Sequence, residues 1–229
     1  MNIDFTPFFN KYEALVTMAE GVFERVKKEY PDLVKCKIGC CDCCNALFDI
    51  TLIEAIYLNY HFNKKFKGEE KERLLEKAGN ADRKIYKIKR KAHQDSRKGV
   101  DENEILSEMA LERVRCPLLN EEDGCDLYEF RPMTCRIYGI PTSIAGRGHT
   151  CGKSGFVEGN KYPTVNIDTI YKHLYALSNE FVKEIKSDHV KMGDMLVPVS
   201  MAMITNYDEE CLGLIDKQKS DSKEGKSDG

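Results

Sequence analysis

The spacing of apolar residues predicts a helix at each end of the first sixty residues. Thr6-Pro7 has the form of a helix start, and apolar residues then recur at helical spacing to about Pro31. Thr51 and Glu54 form the Thr-x-x-Glu pattern of a capping box, which opens a second helix through Leu58 or beyond. The segment between these helices is therefore held at both ends.

Two further segments carry longer helical stripes. Residues 69–98 are highly charged, and their apolar positions step alternately by four and three: Leu74, Ala78, Ala81, Ile85, Ile88 and Ala92. Gly79-Asn80 marks a potential interruption of this helix. A last strong stripe spans residues 168–185. These patterns predict a mainly α fold.

The remaining segments are short or irregular. Residues 101–114 predict a short helix, and residues 116–132 predict a small hairpin, since a polar Glu-Glu-Asp-Gly stretch separates two apolar pieces. Arg131-Pro132 predicts a turn or short helix carrying Cys135. Residues 139–163 are rich in Gly and Pro and predict an irregular loop that contains Cys151.

Cysteine is the residue type that points to chemistry. Five cysteines fall within residues 36–44, and four more follow at Cys116, Cys125, Cys135 and Cys151. Thiolate is the soft ligand that zinc and iron-sulfur clusters select, and short spacings let one loop wrap several sulfurs around one ion. Nine clustered cysteines suffice for two four-sulfur sites, or for bridging sulfurs. The pattern therefore predicts a metal site built from both halves of the chain.

Composition and charge narrow the functional classes. Ten cysteines in 229 residues are too sparse for a small disulfide scaffold, and the N-terminal residues show no signal-peptide pattern, so a cytoplasmic location is expected. The most apolar run, residues 195–204, is too short to cross a membrane. A net charge of -3 disfavours nucleic acid as a partner.

Three separated blocks of the sequence resemble the YkgJ-type cysteine-cluster proteins, a family described as zinc- or iron-chelating domains. The first block is C-x3-C-x2-C-C, and the second and third carry the downstream cysteines. The matching residues are Cys36, Cys40, Cys43, Cys44, Cys116, Leu118, Leu119, Cys125, Leu127, Tyr128, Arg131, Pro132, Cys135 and Arg136. Cys41 is an extra cysteine inside the first block.

The resemblance implies a small helical domain, with an irregular or short hairpin region, stapled by a cysteine-ligated metal. We expect one domain over residues 1–215 and a disordered polar tail over 216–229. Within the domain we expect a family-like core at about 30–152, a basic helical insertion at about 64–98 and a C-terminal helix at about 168–186.

The predicted function is cytosolic metal binding with no assigned reaction. The predicted ligands are Cys36, Cys40, Cys43, Cys44, Cys116, Cys125, Cys135 and Cys151. The cofactor is Zn²⁺ or an iron centre such as a [4Fe-4S] cluster, because four thiolates satisfy both. The alternative is an iron-sulfur redox or group-transfer enzyme, since the resemblance extends to a domain of lysine N-methylases; the balance leans against an enzyme.

Several residues keep two interpretations at this stage. Cys41 is evenly placed between ligand and bystander, and His149 is an alternative ligand in a Cys3His site. Cys211 is isolated and is expected to be an ordinary packed thiol. Arg131 and Arg136 are expected to offset thiolate charge, with anion binding as the alternative.

The basic stretch 83–91 is expected to be a solvated helix face, and contact with nucleic acid or an acidic protein partner is the alternative. The apolar stripe beside it is expected to pack on its own domain, with dimerisation as the alternative. The sequence leaves the oligomeric state open.

Overall fold

The computed structural model describes residues 3–37 and 39–214. The helices of these residues are α1 (Thr6–Glu29), α2 (Leu52–Lys65), α3 (Gly68–Arg97), α4 (Glu102–Leu111), α5 (Met133–Ile137), α6 (Ile167–Glu184) and α7 (Val199–Ile204). The strands are β1 (Asp49–Thr51), β2 (Thr142–Ile144), β3 (Arg147–His149), β4 (Val165–Asn166) and β5 (Leu196–Pro198). The mainly α prediction is confirmed. None of the described helices is long and apolar enough to span a membrane.

Helices α1, α2 and α6 enclose the larger part of the core. Tyr12 of α1 and Phe181 of α6 are fully buried, and the ring of Phe8 meets that of Phe181 edge-on at 5.2 Å. Tyr57 of α2 packs against Tyr12, with ring centroids 4.9 Å apart. Burial of such large rings supplies much of the hydrophobic stabilisation, so this layer is the scaffold on which the cysteine loops rest.

The predicted capping box at the start of α2 is present and extends across the fold. Glu54 is 2% exposed, and one of its carboxylate oxygens accepts hydrogen bonds from the Thr51 backbone N–H (3.0 Å) and hydroxyl (2.9 Å). Its other oxygen accepts from the Met133 backbone N–H at 2.9 Å. A buried carboxylate thus fixes the start of α5, two residues before Cys135, to the start of α2.

The long helix α3 packs against its own chain. Leu74 and Ala78 are buried in a second core cluster together with three residues of α7, namely Val199, Ala202 and Met203. The helix runs without a break through Gly79, so the suggested interruption does not occur. Further along the stripe, Ala81 and Ile85 are buried with Val114. Packing within the chain therefore accounts for the stripe's periodicity.

Short strands close the fold in two places. Strand β1 pairs antiparallel with β5, and β2 lies between β3 and β4 in a second sheet. The prediction of an irregular loop over residues 139–163 is therefore wrong in its first half, where β2 and β3 form a hairpin with Ala145-Gly146 at its turn in the left-handed region. The single domain over 1–215 stays a prediction, and the predicted tail, 216–229, lies outside the described residues.

Candidate metal centre

The first cysteine loop connects α1 to β1 through tight turns. The Cys40 backbone N–H donates to the Lys37 carbonyl at 2.9 Å, and residues Cys43–Asn45 form one turn of 3-10 helix. The Asn45 side-chain amide donates to the Cys41 carbonyl at 2.9 Å. These local bonds bring neighbouring thiols to different sides of the turn, which separates their environments.

Main-chain bonds join this loop to the second cysteine group. The Cys116 N–H donates to the Cys44 carbonyl at 2.6 Å, and the Val114 N–H donates to the Asn45 carbonyl at 3.1 Å. Ala46 pairs with Arg113 in an isolated antiparallel bridge. Residues seventy positions apart are therefore held side by side by backbone geometry alone, before any metal is considered.

The predicted hairpin carries the next cysteine. Leu119 and Cys125 pair in an antiparallel bridge, and the Asn120 side-chain oxygen accepts from the Gly124 N–H at 2.7 Å. Asp123 takes the positive φ that this turn requires. The hairpin prediction is confirmed, and it places Cys116 and Cys125 on either side of the turn.

Five cysteines line one small cavity, and we call them the inner group. They come from the first loop, the hairpin and α5: Cys43, Cys44, Cys116, Cys125 and Cys135. The cavity holds about 50 Å³, and its remaining wall is mostly apolar, with Leu47, Phe48, Ile85 and Val114 among its residues. An apolar wall excludes water and strengthens the attraction between thiolates and a cation.

Charge within the inner group concentrates on Cys43. Hydrogen bonds from the Cys135 and Cys44 thiols hold the pKa of Cys43 well below its ordinary value, and the Arg131 guanidinium adds to the effect. The same contact with Cys43, together with burial, raises the pKa of Cys135. Of these two sulfurs, Cys43 is therefore the one whose surroundings favour the thiolate form.

Backbone N–H groups point at two of the sulfurs. Leu118 and Leu119 donate towards Cys116, and Leu127 donates towards Cys125. Burial nevertheless dominates at Cys116 and raises its pKa to about 12. N–H donors of this kind stabilise a deprotonated sulfur, so a cation entering the cavity would find ligands already supplied with hydrogen bonds.

The donor set fits a thiophilic ion. All ten cysteines are free thiols, and five of them line the cavity together with Arg115 and Arg131. In residues 3–37 and 39–214, no three His, Cys, Asp or Glu side chains already surround a common point in metal-holding geometry. A cysteine sulfur moves by rotation about a single torsion, so changes of rotamer are what closing the shell requires.

The other three predicted ligands form a separate set, which we call the outer group. Cys36, Cys40 and Cys151 lie outside the residues that line the cavity. The Cys36 and Cys40 thiols are hydrogen-bonded to each other, and burial followed by the nearby charge of Cys40 raises the pKa of Cys36 to about 11. The eight predicted ligands are thus brought to one region, but in two groups.

The ambiguous residues now have defined surroundings. The Cys41 thiol is hydrogen-bonded with Asp123 and faces away from the cavity. His149 is exposed on β3 and borders a polar cleft between β2 and residues 157–160. Cys211 lies in a groove beside His189.

Arg131 and Arg136 have different surroundings. The Arg131 guanidinium lies 3.9 Å from the Tyr128 ring centroid and 3.7 Å from a Glu20 oxygen. Arg136 is 5% exposed, pairs with Glu20, and donates to the carbonyls of Arg131 (2.9 Å) and Glu129 (2.6 Å). Arg131 therefore lies at the cavity, whereas Arg136 holds the backbone that carries Arg131.

The fold and this site define a class: a mainly helical protein whose loops gather cysteines around a buried thiol cavity. The chain belongs to the family described as "putative zinc- or iron-chelating domain" and named for a CxxCxxCC motif, whose model matches residues 35–152, just over half of the chain. The resemblance seen in the sequence is thereby confirmed, and it supports metal binding. No curated protein and no solved structure gives a significant match.

Arg131 gives a direct test of charge compensation at the cavity. We expect Arg131→Gln to weaken zinc affinity about 10-fold, because outer partners of metal ligands contribute about 10–100-fold and the guanidinium offsets thiolate charge. Arg131→Lys keeps the charge but loses the planar stack on Tyr128, so its zinc affinity should lie between those of wild type and Arg131→Gln. Competition titration against a chromophoric chelator measures the effect. Equal affinities in all three chains would contradict this role.

Proposed function

We propose that the inner group binds one zinc-type ion through its thiolates. The observation that carries this proposal is the convergence of five thiols, from the first loop, the hairpin and α5, on one apolar cavity. Four thiolates complete a tetrahedral shell, so one of the five thiols lies close to the ion without binding it. Of the adjacent cysteines Cys43 and Cys44, we expect one to bind the ion and the other to be the thiol that does not.

The size of the cavity favours one ion over a cluster. A space of about 50 Å³ accommodates roughly four water molecules, since one water needs about 10–15 Å³. A [4Fe-4S] cluster brings eight atoms of its own besides the cysteine sulfurs. Zinc, or a single iron, fits the cavity without displacing its apolar wall.

The ion's role in this proposal is to fasten the loops together. Main-chain hydrogen bonds join residues near Cys44 to residues near Cys116, and the Glu54 carboxylate holds the start of the helix that carries Cys135. Each of these connections consists of only one or two hydrogen bonds. When bound, zinc supplies a closed thiolate shell with no redox chemistry. Because the ion binds the folded chain, its binding free energy adds to stability.

Metal analysis of the purified chain tests the proposal. We expect anaerobically purified protein to be colourless, to contain zinc and to lack acid-labile sulfide. The double variant Cys116→Ser/Cys135→Ser should lose the inner ion, whereas Cys41→Ser, whose thiol faces Asp123, should keep it. Brown protein that contains iron and acid-labile sulfide would show that the inner group holds a cluster and not a single ion. Folded wild-type protein that binds no metal would refute the proposal.

Three finer hypotheses from the sequence stay predictions. An enzyme would need an open position on the metal, which a fifth thiol in the cavity opposes. A protein partner at residues 83–91 has less free charge to use than the sequence suggests, because Lys89 pairs with Asp49 (2.6 Å) and Lys91 with Glu108 (2.5 Å). The cytoplasmic location rests on the sequence pattern.

A further inference from the structure

We infer that the outer group is a second metal centre, in which Asp42 supplies an oxygen ligand beside the thiolates of Cys36, Cys40 and Cys151. The inference rests on the proposed function, since it assigns the cysteines that the inner cavity leaves over. It adds a residue that no cysteine pattern contains. It also makes the two centres chemically unequal.

Backbone contacts bring the outer group together. The Gly155 N–H donates to the Leu33 carbonyl at 2.8 Å, and Gly155 packs so closely on Leu33 that an added Cβ would lie 3.2 Å from the Leu33 Cα. The loop that follows Cys151 is thereby fixed to the segment that precedes Cys36. Burial is the main cause of the raised pKa of Cys36, and Cys151 lies close enough to add to it; the Cys36 thiol is also hydrogen-bonded to Cys40.

Asp42 faces this set instead of the cavity. Its carboxylate accepts from the Cys151 thiol at 3.5 Å and lies 4.0 Å from the Lys153 ammonium. The Tyr138 hydroxyl is hydrogen-bonded to it as well. Ligating carboxylates are usually held in this way by neighbouring donors, so Asp42 is oriented before any metal binds.

The neighbours of Cys151 complete the argument. The Lys153 backbone N–H donates to the Cys151 sulfur at 3.4 Å, as Leu118 and Leu127 do for the inner sulfurs. Three thiolates and a carboxylate around a divalent ion leave a net charge of about -2, which Lys153 partly offsets. The same kind of donor arrangement therefore occurs at both groups.

Gly139 shows how tightly the outer group is built. A Cβ at position 139 would overlap the Cys36 sulfur, so only glycine leaves that sulfur in place. Gly139 lies immediately after Tyr138, which holds Asp42. Two consecutive residues after α5 thus position two different ligands of the outer group, and neither lines the inner cavity.

The two centres should differ in how readily they release their ion to a chelator. The Asp42 side chain is 23% exposed, and a carboxylate is a harder and more weakly held ligand for zinc than a thiolate. The inner group, by contrast, offers thiols alone. We therefore expect the outer ion to leave first when a chelator is added, while the inner ion remains.

Zinc stoichiometry of the full chain tests the inference. Reduced apo-protein loaded with zinc(II) alone should hold two ions after gel filtration and release them to a chromophoric chelator in two phases. Cys151→Ser and Gly139→Ala should each hold one ion and lose the fast phase. Tyr138→Phe, which removes only a hydroxyl, should weaken the outer ion about 10-fold. Cys41→Ser should behave as wild type.

Each result separates this inference from the proposed function. One ion in wild type, lost in Cys116→Ser/Cys135→Ser, would overturn the second centre and leave the first intact. Two ions retained in both Cys151→Ser and Gly139→Ala would also overturn it. Asp42→Asn with an unchanged fast phase would remove Asp42 from the ligand set. No ion in wild type would refute both proposals.

Discussion

Loss of the inner ion is expected to lower the midpoint of thermal unfolding by about 8–16 °C. A site whose free metal concentration exceeds Kd about 1,000-fold contributes about 4 kcal/mol to folding stability, and each kcal/mol shifts the midpoint by about 2–4 °C in a chain of this size. Cys116→Ser/Cys135→Ser removes two thiols of the inner group and should show this shift. Differential scanning calorimetry in zinc-containing buffer measures it.

Two comparisons separate the metal from simple packing. With excess chelator, wild type and the double variant should unfold at nearly the same midpoint, because both chains then hold no ion. Cys211→Ser, at the distant groove beside His189, should leave the midpoint within about 2 °C of wild type. A double variant that melts with wild type in zinc would show that the inner thiols bind no stabilising ion.

Glu54→Ala is expected to destabilise the chain by about 3 kcal/mol even without metal. The substitution leaves three donors without their acceptor, namely the Thr51 N–H, the Thr51 hydroxyl and the Met133 N–H. An unsatisfied buried donor costs about 1–3 kcal/mol, and relief of the buried carboxylate offsets part of the sum. Urea unfolding of the chelated protein measures the loss.

The same variant should also weaken zinc binding, because Met133 begins the helix that carries Cys135. Glu13→Ala, which removes an acceptor of the Tyr57 hydroxyl at the edge of the same core, is a suitable comparison that should leave zinc affinity unchanged. If Glu54→Ala lowers stability but binds zinc as tightly as wild type, then Glu54 supports the fold without positioning the inner group.

The pH dependence of Glu54 has a definite sign. Burial raises its pKa above the ordinary 4.5, so the native state binds more protons than the unfolded state just above that pH. Its contribution to stability is therefore fully present below about pH 4.5 and is lost as the pH rises through the raised value. The difference in unfolding free energy between wild type and Glu54→Gln should follow this trend.

Local sequence signals predicted much of what positions the site. The Thr51–Glu54 capping box, the long α3 and the turn of the 116–132 hairpin each depend on residues within a few positions, so they could be anticipated. The proximity of the eight predicted cysteines could also be anticipated, because their spacing and the family's sequence blocks mark them. The capping box predicts nothing, however, about the bond from Glu54 to Met133, which joins residues far apart in the chain.

The division into inner and outer groups could not be predicted. It depends on the bond from the Cys116 N–H to the Cys44 carbonyl and on the contact of Gly155 with Leu33, both of which are set by tertiary packing. Asp42 had no signal of its own, because a carboxylate between cysteines is equally typical of a solvated turn. The β2–β3 hairpin was missed because three-residue strands show too little alternation to recognise.

X-ray absorption at the zinc edge tests the central claim most directly. The Cys151→Ser chain, loaded with zinc, isolates the inner centre. We expect one ion surrounded by four sulfur atoms at about 2.3 Å. A shell made mainly of oxygen or nitrogen at about 2.0–2.1 Å, or a folded chain with no bound zinc, would contradict it.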